Sequence, residues 1–454
     1  MSSESRRSFL TKLAAGSLVV AGTPESLSAS ASHHLRRQPA VRKRALNDEI
    51  QVAVIGAGGM GNIDADTARS IEGIRLIAAC DLYEGRLEKA QEKWGEEYPI
   101  FTTRDYREIL AGEGVDAVIV ATPDHWHRKI AIDAMRAGKA VYVEKPMVHQ
   151  LSEGAELIQV QRETGRTLEV GSQGMSSLGN EQARRLYEEG AIGELNYAEG
   201  FWARNSPMGA WQYEIPDDAS EDTVDWDTFL GEAPRLPFDA VRFFRWRNYM
   251  DYGTGVSGDL FVHLFSSLHF IVSSTGPNQI MATGGLRFWK DGREAPDIVL
   301  GMFDYPETEH HPPFNLSLRA NFVDGTSGST YLRLVGSEGA MDVTWTEVTL
   351  RRNKKSDPNE DPFAKAKEDE REARFGQRKQ MLPPAESVYK AENGYWGAHV
   401  DHFNNFFDGV RYGTPVIENA VFGFRAAAPA LICNTCLAEE TIVQWNPDQM
   451  TMVE

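Results

Sequence analysis

Cysteine is scarce, with Cys80, Cys433 and Cys436 the only three in 454 residues. Cys433 and Cys436 form CNTC inside the apolar run AAAPALICNTCL, and a metal or redox role would need a second pair that a lone Cys80 does not supply. They read as small buried residues one helical turn apart. Long apolar runs are also missing near the N-terminus, where the stretch from Leu13 to Gly22 is too short and too mild to span a bilayer. His310 and His311, in a loop before PPF, have no third ligand at metal spacing, so no metal is expected. Basic charge is short in the body of the chain. Residues 1–44 hold eight Lys/Arg and two acids, whereas the remainder has 39 basic and 64 acidic residues, a net of −25. Such a body repels phosphate backbones, which excludes nucleic acid as a partner.

What is present suits a large soluble globular protein: 41% hydrophobic residues over a length that favours two or three domains. SRRSFLTK sets Arg6 and Arg7 ahead of an apolar stretch, and Ala29-Ser30-Ala31 offers a small-residue cleavage site. The order resembles a twin-arginine export signal over residues 1–31 and implies a periplasmic or otherwise exported protein. Residues 32–48 are basic and aperiodic and include a proline. They read as a solvated linker, or as an arm lying on an acidic neighbouring subunit.

From Ile50 the pattern changes. IQVAVIGAGGMG is a β-branched run ending in Gly56, Gly58 and Gly61 at G-x-G-x-x-G spacing, and a helical pattern follows through Ala65, Ala68 and Ile71. Glycines there permit a tight turn and close approach of a pyrophosphate to the backbone, with Gly59 and Met60 opening the helix whose N-terminus attracts phosphate. A second strand, IRLIAACD, ends on Asp81, 20 residues beyond Gly61, where a carboxylate can accept hydrogen bonds from the adenosine ribose. That favours NAD over NADP, although Arg86 nearby could stack on adenine or tolerate a 2′-phosphate. Helices from Glu84 to Trp94, Tyr106 to Leu110 and His127 to Ala137 alternate with the strands VDAVIVAT and KAVYVE. The rhythm predicts an α/β fold whose first domain, residues 49–170, is a doubly wound parallel sheet. Ligands lie at the carboxyl ends of such strands, which puts Thr122, Pro123, Glu144 and Lys145 at the edge of the glycine loop.

The glycine loop, ATPDHWH and EKP, in this order, resemble the glucose-fructose oxidoreductase/inositol dehydrogenase family, often written Gfo/Idh/MocA. The resemblance continues through ARRLYEEGAIGEL, VDWDTFLGEAP, DYGTGVSGDLFVH and HFNNFFDGVRYGTPV, covering about residues 50–445. It implies that residues 171–454 form an α+β domain around an open, mainly antiparallel sheet. The outer face of that sheet commonly pairs subunits into dimers or tetramers. It also implies a cis peptide bond before Pro146, which would fix the direction of Lys145.

Oxidising a secondary alcohol needs a hydride path and a proton path together. Lys145, at a strand end, can touch the substrate oxygen, and Glu144 can orient it or hold the nicotinamide side. Asp259 and His263 are four apart, so on a helix they share one face. An imidazole near its ordinary pKa of ~6.5 can take a proton at neutral pH, and a neighbouring carboxylate raises its basicity. The match to the family's D-x-x-x-H pattern makes Lys145, Asp259 and His263 the candidate catalytic set. Leu260, Phe261 and Val262 depart from the family's usual residues inside that pattern, which bears on substrate identity. His127 either walls the nicotinamide pocket or serves as a cap or core contact. Trp126, Trp202, Trp211, Arg245, Trp246 and Arg247 either clamp a sugar or join the core.

An exported enzyme has no soluble NAD pool outside the cytoplasm and must recycle its own nicotinamide. The expected activity is therefore an oxidoreductase acting on a sugar or cyclic polyol with tightly held NAD. Two alternatives stay open: a glycosidase, epimerase or lyase working through transient sugar oxidation, and a non-catalytic NAD and sugar sensor.

Overall fold

The computed structural model describes residues 31–36, 49–96, 98–323, 325, 329–353, 370, 384–395 and 397–453. Arg6 and Arg7 of the expected export signal, the expected linker from residue 37 to 48 and nearly all of the charged stretch after residue 353 lie outside these residues. The first described element is a strand, β1 (Ala31–Leu35), which pairs in parallel with a much later strand, Ala385–Ala391. Residues 32–35, expected in a tether, thus extend a sheet edge. His33 stacks on Tyr389 with ring centroids 4.6 Å apart, a cross-strand contact that no local periodicity announces.

The first sheet has β2 (Ile50–Ile55), β3 (Ile74–Cys80), β4 (Phe101–Thr103), β5 (Ala117–Val120), β6 (Ala140–Glu144) and β7 (Leu168–Gly171). All pair in parallel, in the order β4-β3-β2-β5-β6-β7. The continuous Val, Ile and Ala runs are explained by burial on both faces: every residue of β5, β6 and β7 is buried. The order reverses between β2 and β5, which opens the crevice where such folds bind ligands. The glycine loop leaves β2 at that crevice.

The second sheet is mixed and mostly antiparallel, and among the described residues it has eleven strands. Besides β1 these are β8 (Leu195–Ala203), β9 (Gln279–Gly285), β10 (Ile298–Tyr305), β11 (Phe314–Asn321), β12 (Thr330–Gly336), β13 (Gly339–Val343), β14 (Glu347–Arg352), β15 (Ala385–Ala391), β16 (Val443–Asn446) and β17 (Thr451–Met452). They run in the order β1-β15-β14-β13-β12-β8-β11-β10-β9-β16-β17. Strand β10 alternates buried and exposed residues, so one face is covered and the other, with Leu300 and Met302, is open. The helix Val262–Val272 covers the buried face, with Phe265 edge-on to Phe303 at 4.9 Å. At the centre of the sheet Gly200 makes this approach feasible, since a Cβ there would lie 2.7 Å from Leu318 and 3.1 Å from Leu264.

The chain does not stay on its own side of residue 171. The helix Ala398–Tyr412 packs Phe403, Phe406 and Phe407, all fully buried, against Ile50, Val52 and Tyr142 of the first sheet. Tyr142 and Phe403 stack at 4.2 Å. The helix Ala420–Glu439 is long and apolar enough to cross a membrane, but it is a core element that buries Cys433 and Cys436 and contains Pro429. The CNTC cysteines therefore sit in the core as small apolar groups, with burial pushing both thiols up.

Candidate active site

The crevice between the sheets is a cavity of about 600 Å³ that runs from the glycine loop to the buried helix carrying Asp259 and His263. At one end Gly56 turns the chain with φ 95°, and a Cβ there would meet the Ala121 carbonyl at 2.5 Å. A Cβ at Gly61 would lie 1.8 Å from the Gly56 carbonyl, so this glycine sets the loop against its own helix. Gly58 and Gly59 differ. Nothing lies within 4 Å of a Cβ at Gly59, and Gly58 faces only the Arg86 guanidinium at 3.7 Å. The helix Gly59–Arg69 starts there with no side-chain cap and no acid in its first turn. Bare backbone, an open face and an uncapped helix N-terminus fit a dinucleotide pyrophosphate.

Asp81 is buried, and both its oxygens already serve the loop. Oδ2 accepts from Ala57 N at 2.9 Å, Oδ1 from Tyr83 N at 3.0 Å, and Arg86 sits 3.4 Å away with its guanidinium 5.3 Å from the Phe244 ring. The carboxylate still lines the cavity, so it can both order the loop and face a ribose. Arg86 and Arg104 line the same end and supply cations next to it.

At the other end the bond before Pro146 is cis, as expected, and Lys145 lines the cavity. Lys145 Nζ donates to Asp259 twice, to Oδ1 at 2.8 Å and to the carbonyl at 2.8 Å, which leaves one N–H of the ammonium for a ligand. Arg247 Nε stands 3.5 Å from the same Oδ1. Burial alone would raise the Asp259 pKa, but Lys145, Arg247 and Arg204 outweigh it and hold the carboxyl far below the usual carboxylate range. Asp259 lies in a wide π-type turn, Ser257–Phe261, that precedes the regular helix bearing His263. Such turns widen a helix locally, so the simple four-residue facing expected of a regular helix does not apply there. Asp124 pins this segment to the first domain, accepting from Thr254 N at 3.0 Å and Thr254 Oγ1 at 2.7 Å.

His263 lies flat on Trp202, with ring centroids 5.1 Å apart and planes 25° apart, and edge-on to Trp345. Its Nδ1 is buried without a partner among the described residues. Burial, then Lys145, push its pKa well below the ordinary value, while Asp259 pulls the other way and loses. The expected carboxylate effect is real and is outweighed. The ring is held neutral.

Glu144, at the end of β6, is buried and accepts from Gln173 Nε2 at 2.6 Å. Beside it stands Asp64, from the glycine-loop helix, with no described donor to either oxygen. Burial raises both carboxyls, Glu144 to about 7 against the pull of Lys145 and Gln173, and Asp64 further. The neighbouring Glu144 adds to the effect of burial in keeping the proton on Asp64.

Among the expected site residues, Gly56, Gly58, Gly59, Met60, Asp81, Arg86, Thr122, Pro123, Glu144, Lys145, Asp259 and His263 all line this one cavity. Gly61 stands behind it, shaping the loop. His127 takes the second of its two readings, a core contact, and not the place in the cofactor pocket. It is fully buried, with Nδ1 2.8 Å from the Pro146 carbonyl and Nε2 2.9 Å from the Thr122 carbonyl, and it braces two loops without reaching the cavity. Trp126, Trp202, Trp211, Trp246 and Arg247 do line it, while Arg245 turns away to Tyr213 O and Gln212. Sequence reasoning missed Asp64, Gln173, Arg204, Trp345 and His399. Only Arg204, two residues after Trp202 at a strand end, carried a local signal.

Fold and site define a two-domain α/β protein with an NAD-binding crevice, and the comparisons agree. Residues 50–172 match the Gfo/Idh/MocA family model, described as oxidoreductase family, NAD-binding Rossmann fold. The chain is 30% identical over 212 residues, 44% of its own length and 46% of the relative's, to glycosyl hydrolase family 109 protein 2 of Shewanella sp. (strain ANA-3). It is 32% identical over 162 residues, 34% of this chain and 45% of the other, to scyllo-inositol 2-dehydrogenase (NAD(+)) of Bacillus subtilis (strain 168). The chain thus spans less than half the length of these curated relatives. Its fold matches that of the WlbA dehydrogenase from Bordetella pertussis, solved with NADH and UDP-GlcNAcA, at a TM-score of 0.64 and 15% identity, covering 89% of this chain and 99% of that one.

Proposed function

We propose that the protein is a nicotinamide-dependent oxidoreductase that oxidises a secondary alcohol of a sugar or cyclic polyol and keeps its NAD bound between turnovers. One observation carries this reading: Lys145, from the first domain, and Asp259 and His263, from the second, line the same cavity as the glycine loop. Bound NAD supplies a hydride acceptor at its nicotinamide ring. The loop from Gly56 to Gly61 would hold the pyrophosphate, and Asp81 would receive the ribose. Lys145 offers its free N–H to the substrate oxygen, stabilising negative charge as it develops. Neutral His263 takes the hydroxyl proton, and the carboxylate of Asp259 offsets the resulting positive charge. Asp259 stays ionised throughout, because Lys145 and Arg247 hold it so.

Retention of NAD follows from the proposed export of the folded protein through the twin-arginine pathway, which rests on the order of Arg6, Arg7, the apolar stretch and Ala29-Ser30-Ala31. The open face of β10, with Leu300 40% and Met302 57% exposed, supports pairing with a second copy of the chain. The test of the activity is direct. The purified protein, without added coenzyme, is given sugars and polyols singly and in pairs while near-ultraviolet nicotinamide absorbance is followed. Reduction by an alcohol, and reoxidation by a second carbonyl compound, are expected. A bound nicotinamide that never changes redox state would leave a sensor. A second reading draws on the similarity to glycosyl hydrolase family 109 proteins: transient oxidation of a glycoside, followed by cleavage and return of the hydride. Release of an aglycone with no net change in absorbance would favour it.

A further inference from the structure

We propose that the substrate carries one carboxylate, as in a uronic or aldonic acid, and that Arg204 and Arg247 receive it. This deepens the oxidoreductase reading and rests on it. Arg204 follows the end of β8 and lines the cavity next to the stacked pair Trp202 and His263. Its backbone N–H is tied to Asn321 O at 2.9 Å, but among the described residues its guanidinium has neither a hydrogen bond nor an ion pair. Other arginines around the site are engaged. Arg242 pairs with Asp251 at 3.3 Å and Glu294 at 2.9 Å, Arg293 with Asp291 at 2.7 Å, and Arg245 bonds Gln212 at 2.7 Å. Arg204 is exposed to the cavity's solvent, so water serves its guanidinium and a ligand anion can replace that water without breaking a protein contact.

Arg204 is near enough to the reacting groups to lower the pKa of both Asp259 and His263. Arg247 lies over the Trp246 ring at 4.1 Å and turns only its Nε toward Asp259, so its terminal N–H groups remain for a second acceptor. Guanidinium groups present paired N–H donors in a fork that matches a carboxylate. Charge balance selects a single negative charge. Lys145, Arg204 and Arg247 face Asp259 and the rim residue Glu214, while Glu144 is largely kept neutral below about pH 7 by burial. One positive charge is left over. A carboxylate cancels it, whereas a phosphate would bring nearly two negative charges. Trp202 and Trp345 meanwhile offer flat apolar surface to the C–H face of a sugar ring.

The experiment titrates the NAD-loaded protein, by tryptophan fluorescence, with glucuronate, galacturonate and gluconate, and in parallel with glucose, inositol and glucose 6-phosphate. Acidic sugars are expected to bind about 10- to 100-fold more tightly than neutral ones, the range of a charge-assisted hydrogen bond. The preference should shrink as salt rises, and R204Q should bring the acidic sugars down to the affinity of the neutral ones. Neutral sugars that bind as tightly as acidic ones, an R204Q protein that keeps the preference, or a loss in R204Q that is equal for both kinds would overturn the proposal. Tightest binding of glucose 6-phosphate would overturn the choice of carboxylate. The underlying reading fails separately, when no sugar changes the nicotinamide absorbance, and in that case fluorescence still reports the charge preference.

Discussion

Lys145 and Asp259, 114 residues apart, meet through two hydrogen bonds of 2.8 Å, one to the carboxylate and one to the backbone carbonyl. The second bond matters as much as the first, because it fixes the ammonium even where the side chain of Asp259 turns. Replacing Lys145 by Met should therefore abolish hydride transfer while NAD stays bound. It also strips a buried carboxylate of its nearest cation, which typically costs about 3–5 kcal/mol, less whatever Arg247 still supplies. Single-turnover reduction of bound nicotinamide and thermal unfolding with NAD present check the two parts separately. Unchanged turnover would remove the lysine from the mechanism.

His263 should give an unusual pH profile. Burial and Lys145 keep the ring neutral well below its ordinary titration range, so the acid limb of kcat/KM that belongs to it should lie well under pH 6.5. Asp259 is what raises this pKa, so D259N should move that limb lower still and cut the rate. Glu144 titrates near pH 7 in the same cavity, and the profile is best taken in E144Q, where only the imidazole limb remains. A limb at the ordinary imidazole value in that background would contradict the buried, neutral ring.

Glu144 itself makes stability fall as pH rises. Its carboxyl binds a proton up to about pH 7 in the fold and only to about 4.5 when unfolded, so between those values the native state holds more protons than the unfolded one. Stabilisation is complete below about 4.5 and lost through about 7, amounting to roughly 3 kcal/mol at 1.36 kcal/mol per pKa unit. Denaturant midpoints at pH 5 and pH 8 should differ accordingly in the native chain, and much less in E144Q.

These residues also show where sequence reading stops. The glycine loop and the parallel strands are legible because their signals are local: β-branched runs buried on both faces, and glycines at fixed spacing ahead of a helix. Lys145, Asp259 and His263 were recognisable only through a family resemblance, since nothing in EKP or in DLFVH announces that the two segments touch. Asp64 was invisible. In NIDADTAR it reads like any polar residue of an exposed helix, and only the approach of β6 buries it against Glu144. His127 stayed open between pocket wall and core contact because the direction of its ring depends on the Pro146 carbonyl, 19 residues away. Strand β1 has no apolar period, and its partner lies some 350 residues further on.

Gly58 and Gly61 separate folding from binding within one loop. A methyl at Gly61 would sit 1.8 Å from the Gly56 carbonyl, which backbone on both sides cannot relieve, so G61A should lose about 3 kcal/mol or more and unfold the first domain early. Gly58 has φ −73° and ψ −162°, open to any residue, and its added methyl would meet only the flexible Arg86 guanidinium at 3.7 Å. G58A should therefore fold with nearly native stability. The methyl nevertheless stands on the face where a pyrophosphate must approach the backbone, and NAD affinity should fall about tenfold or more. Thermal unfolding without coenzyme ranks the two variants for stability, and calorimetric titration of coenzyme-free protein with NAD ranks them for binding. A G58A protein that binds NAD as tightly as the native chain would show that the dinucleotide takes another path through the crevice. The position assigned to its reactive ring beside Lys145 would then fall with it.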